Sequence, residues 1–98
     1  MLWYCRYTWQ PHATRDAIAR RILEMHEKGM NQQENIRGWY ALAGGGAGFI
    51  IVEQDDPRQL TAFLQPYMDL VSWDVHAIYE DDYDENIRRY REELGQSG

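Results

Sequence analysis

The stretch Arg37-Gly-Trp-Tyr-Ala-Leu-Ala-Gly-Gly-Gly-Ala-Gly-Phe-Ile-Ile-Val-Glu53 limits the fold more than any other part of the chain. Aromatic and aliphatic residues fill two arms, residues 36–42 and 47–53, and four of the five residues from Gly44 to Gly48 are glycine. Aromatic and β-branched residues suit extended backbone, and glycine takes the positive φ of a tight reversal without strain. The pattern predicts a β-hairpin. A glycine run also invites a phosphate-loop reading, but phosphate loops place their glycines before a helix, and here a strand follows.

The remaining segments fall into place around this hairpin. Residues 2–9, rich in Trp, Tyr and Thr, predict a first strand that Pro11 ends. Thr14 is placed to cap a helix, with Asp16 near the positive end of its dipole. Ile18, Ile22 and Met25, flanked by Ala19, Leu23 and His26, form its apolar face, and Lys28-Gly29 stops it. Residues 30–35 are a polar connection. Asp55-Asp56-Pro57 opens a second helix carrying Leu60, Phe63, Leu64, Tyr67 and Met68 at helical spacing. Pro66 should kink or stop it near Gln65. Residues 72–80 predict a fourth strand. Asp82 or Asp84 caps a last helix over 82–94, with Tyr83, Ile87, Tyr90 and Leu94 as its stripe and Gly95 as its stop. The order βαββαβ plus a helix predicts an α+β, ferredoxin-like domain over 1–98, with a four-stranded antiparallel sheet whose central strands are the first and third.

Ninety-eight residues suffice for one core. At 44% hydrophobic and 27% charged, the chain has the composition of a globular protein. Its net charge of −6 argues against nucleic acid as a partner. Residues 80–93 hold seven carboxylates against three arginines, so most of the acidity is local. No membrane partner is expected, because no apolar run nears the roughly 20 residues a membrane helix needs. The first residues do not read as a signal peptide, and a cytoplasmic location is the expectation. Cys5, the single cysteine, lies in an aromatic run and reads as a small buried hydrophobe.

The strands are apolar on both faces. Trp3, Cys5, Tyr7 and Trp9 point opposite to Leu2 and Tyr4; Phe49 and Ile51 point opposite to Ile50 and Val52. Trp73, Val75, Ala77 and Tyr79 oppose a more polar set that includes Ile78. Two helices cover only one face, and a wet face should be polar. The pattern therefore predicts a homodimer packed sheet against sheet.

Together, Arg37-Gly-Trp-Tyr, the glycine turn into Phe49-Ile-Ile-Val-Glu53, and Phe63-Leu-Gln-Pro-Tyr-Met-Asp-Leu-Val-Ser-Trp-Asp74 resemble a small uncharacterised bacterial domain family. That family is similar to the dimeric α/β-barrel superfamily, which includes cofactor-free monooxygenases, muconolactone isomerase-like enzymes, haem proteins of the chlorite dismutase type and YCII-related proteins. The resemblance covers nearly the whole chain. It implies a pocket between sheet and helices and leaves the chemistry open.

Several residues are candidates for that pocket. Arg6, mid-strand among aromatics, is expected either to pair with Glu53 or Asp74, in the chain or across a dimer, or to hold an anionic ligand. His26 loosely resembles a functional histidine on the first helix of YCII-related proteins. His76 shares strand parity with Asp74 and is a second acid–base candidate, and Glu53 is a third. Trp73 and Tyr67 are candidate ligand contacts in an aromatic-lined pocket. The three histidines lack metal-ligand spacing, and no CxxC, Ser-His-Asp order or dinucleotide fingerprint is present; neither metal nor cofactor is expected. The functional expectation is a small-molecule-binding protein for an aromatic or anionic compound. A cofactor-independent enzyme is one form of it, and a non-catalytic interaction or sensor domain is the alternative.

Overall fold

β1 (Leu2–Trp9) runs through the middle of a sheet whose strands are β2 (Ile36–Ala41), β3 (Ala47–Glu53) and β4 (Val71–Ile78). The order across the sheet is β2-β3-β1-β4, and every neighbouring pair is antiparallel. This is the expected ferredoxin-like α+β topology, with β1 and β3 central. The computed structural model describes residues 1–95, so the last three positions of the expected domain lie outside the described residues.

Local signals act as the sequence implies. The hairpin reverses through Gly44, Gly45 and Gly46 at φ of +98°, +83° and +82°, a conformation only glycine takes without strain. The Thr14 hydroxyl accepts from the Ala17 N–H at 3.1 Å to start α1 (Arg15–Glu27). Gly29 at φ +69° lies just past its end. Asp56 caps α2 (Pro57–Leu64), which gives way to a 3-10 turn at Gln65–Tyr67 because Pro66 cannot supply a backbone donor. Asp82 caps α3 (Tyr83–Glu93).

Two strands differ from expectation at their ends. β2 stops at Ala41 rather than residue 42, because Leu42 already turns into the glycine loop while its N–H still bonds Ala47 O at 2.9 Å. β4 occupies Val71–Ile78 rather than 72–80: Val71 pairs with Trp9 and Ile78 with Leu2, and beyond Leu2 β1 offers no further partner.

The core lies on one face of the sheet. Cys5, Ile50 and Val52 meet Leu60, Phe63 and Leu64 of α2, with Trp3, Tyr7, Trp73 and Val75 around them. Cys5 is fully buried, as its surroundings implied. The helices cover this face unequally: α2 buries three residues, whereas α1 buries only Met25 and leaves Ile18 and Ile22 half-buried. Among the described residues nothing covers the opposite, outer face. There Tyr40, Phe49, Tyr4 and His76 form an aromatic band across all four strands, with centroid spacings of 5.0, 5.1 and 6.4 Å. α3 projects from the body and buries no residue. The chain extends 58 Å with a least dimension of 17 Å.

Candidate functional site

α1 stands away from the sheet, and the gap is an open cleft of about 550 Å³. Its floor is the helix-side face of the sheet, where side-chain alternation brings Tyr7 and Trp9 of β1, Trp39 of β2, Ile50 of β3 and Trp73 of β4 together. Ile18, Ala19 and Ile22 form the α1 wall, Phe63 and Tyr67 the far wall, and Arg15 lies at the start of α1. Six aromatic side chains and one cation thus line a mainly apolar cleft.

Hydrogen bonds hold the walls. The Trp39 indole N–H donates to the Tyr7 hydroxyl at 3.1 Å, and the Trp73 indole N–H donates to Leu64 O at 3.1 Å. The Tyr67 hydroxyl donates to Asn31 Oδ1, while Asn31 Nδ2 donates to Ile22 O at 3.2 Å. Burial pushes the Tyr67 phenol above its ordinary value, with the Asn31 bond and the Arg21 charge opposing it. Arg21 grips Asp69 with two bonds, Nη1 at 2.7 Å and Nη2 at 3.0 Å, and also reaches Pro66 O. That bidentate pair ties α1 to the segment after α2 and lowers the Asp69 carboxyl below its ordinary value. The cleft's width is therefore fixed at several points.

A close approach sets the floor. The Tyr7 ring lies over Gly48, where an added Cβ would sit 2.3 Å from the Tyr7 hydroxyl and 2.4 Å from Tyr40 O. Of the bare glycines around the turn, this one makes room for the chain's own tyrosine.

The sheet divides the residues predicted to share a site. Trp73 and Tyr67 line the cleft. Arg6, Glu53 and His76 lie on the outer face instead, because they have the opposite strand parity. The expected ion pair of Arg6 within the chain is absent: Arg6 is exposed, and among the described residues no carboxylate lies within ion-pair distance of it. Glu53 instead accepts from the Met1 amino group at 2.9 Å, and Asp74 meets His76 Nε2 at 2.9 Å. His26 is exposed near the end of α1 and does not line the cleft. Arg15 and Tyr7 line the cleft without being among the residues the sequence pattern points to. A cation in the first turn of α1, where the dipole favours an anion, was the available signal for Arg15.

Among the described residues no group of three or more His, Cys, Asp or Glu is placed to hold a metal ion, and no helix is long and apolar enough to cross a membrane. The cleft can enclose a flat apolar body between aromatic faces and offer a guanidinium at one end. Among the described residues no histidine or carboxylate lines it for proton transfer.

Comparison with curated proteins returns no match. Among solved structures, the chain is similar to the protein titled "Structure of Rv0793 from Mycobacterium tuberculosis", at 18% identity and a TM-score of 0.48, over 82% of this chain and 95% of that one. Residues 1–89 match the family model described as "Domain of unknown function (DUF3303)", and the chain belongs to that family.

Proposed function

We propose that this protein is a homodimeric small-molecule-binding protein, joined through its outer sheet faces, in which each α1–sheet cleft takes a planar aromatic compound with its anionic group toward Arg15. The observation that carries this reading is the open, aromatic-lined cleft of about 550 Å³, within the range of small-ligand sites of roughly 300–1,000 Å³. The lining favours binding or sensing over acid–base catalysis, since its ionisable groups are Arg15, Tyr7 and Tyr67. The dimer is supported by the aromatic band on the bare sheet face.

Tryptophan emission tests the ligand reading, because Trp9, Trp39 and Trp73 all line the cleft. Titration with benzoate, naphthoate, flavin and haem should include at least one probe that quenches saturably, and Ala19→Phe, which fills the cleft from the α1 wall, should abolish that response. No saturable quenching by any of the four would contradict the reading. Quenching that survives Ala19→Phe unchanged would place the ligand elsewhere.

A further inference from the structure

We propose that α3 is an exchange arm: it packs on the second copy that covers the outer sheet face, with Tyr83, Ile87, Tyr90 and Leu94 as its contact stripe. This rests on the dimer reading above and adds a second contact surface to it. Tyr83, Tyr90 and Leu94 are exposed, Tyr83 and Leu94 to 80% and 74%, Ile87 between them is half-buried, and no residue of α3 is fully buried. Among the described residues, every side-chain hydrogen bond and ion pair of α3 stays within residues 81–93; Arg88 joins Glu85 and Glu92, Arg89 reaches Asn86 and Glu93, and Asn86 donates to Asp81. The described polar contacts thus tie the helix to itself, and none of them ties it to the body.

Length makes that arrangement demanding. α3 has 11 residues, and isolated helices shorter than about 12–15 residues are marginal in water. Its amphipathic stripe needs a surface to lie on. The arm leaves from Ile78, which pairs with Leu2 at the rim of the outer face, so a second copy seated on that face comes within its reach. The area agrees. The chain exposes 7160 Å², against roughly 5,800 Å² for a compact monomer of this mass. The excess of about 1,300 Å² exceeds the roughly 800 Å² each partner contributes to a standard interface, leaving area for an arm besides a sheet face.

Sedimentation equilibrium on the full chain, Ile87→Glu, Leu94→Glu and Ile51→Glu separates the two surfaces. Both α3 variants should weaken self-association at least tenfold, and so should Ile51→Glu on the outer face. An unchanged dimer in both α3 variants, with Ile51→Glu dissociated, would overturn the arm and leave the sheet-face dimer standing. Dissociation in the α3 variants with Ile51→Glu unaffected would overturn the sheet-face reading and, with it, this placement of the arm. If the α3 variants melt at lower temperature at unchanged mass, α3 folds back on its own body, and that result too overturns the proposal.

Discussion

At the residue scale, two positions make sharp demands. Gly48 exists for Tyr7: its missing side chain admits the phenol that accepts from Trp39 and paves the cleft floor. Gly48→Ala should therefore cost about 1–3 kcal/mol, because the neighbour it meets at 2.4 Å is the Tyr40 backbone, which cannot swing aside. Urea unfolding measures this, and a variant as stable as the parent would show that the floor has room to relax. Cys5 is the second. Burial pushes its thiol up to about 11, and thiolate is the reactive form. A maleimide at pH 8 should label the native chain at least tenfold more slowly than the urea-unfolded chain; equal rates would show that β1 opens readily. The buried character of Cys5 was legible from its aromatic neighbours. The role of Gly48 was not, because a cross-strand contact depends on register, and register is a long-range property.

At the element scale, caps and stops were legible because they are local. Thr14, Asp56, Asp82, Pro66 and the glycine turn each act within a few residues of themselves. The stand-off of α1 was not legible, since periodicity shows which side of a helix is apolar and not how closely that side approaches a sheet. The candidate site divided for a related reason. Arg6, Glu53 and His76 have strand parity opposite to that of Trp73, and only the position of the helices shows which parity faces the cleft. The Arg21–Asp69 pair that braces α1 leads to a pH prediction. The Arg21 guanidinium lowers the Asp69 carboxyl below its ordinary 3.8, so the pair's contribution is complete above that value and is lost as pH falls through the lowered one. Arg21→Ala should flatten the acid limb of urea stability below about pH 4 and also weaken ligand quenching. An acid limb identical to the parent's would show that the brace contributes nothing to folding.

At the scale of the whole molecule, one chain leaves apolar surface uncovered on two elements. A compact chain of 98 residues has a radius of gyration of about 13 Å, whereas this one has 17.8 Å. The band Tyr40–Phe49–Tyr4–His76 lies bare on one side of the sheet, and α3 projects from its end. The bare face was legible in the sequence, because strands apolar at both parities exceed what one layer of helices can cover. The isolation of α3 was not, because its stripe would look the same packed on its own body or on a neighbour. If a second copy is the cover, folding and association are coupled, and the melting temperature should rise with protein concentration. A melting temperature independent of concentration over a hundredfold range would point to a monomer stable by itself.

The most direct measurement is sedimentation equilibrium of the full chain across a hundredfold dilution. A dimer joined through its outer sheet faces has a mass of twice 11.6 kDa that persists on dilution, and a mass of 11.6 kDa at every concentration would contradict it.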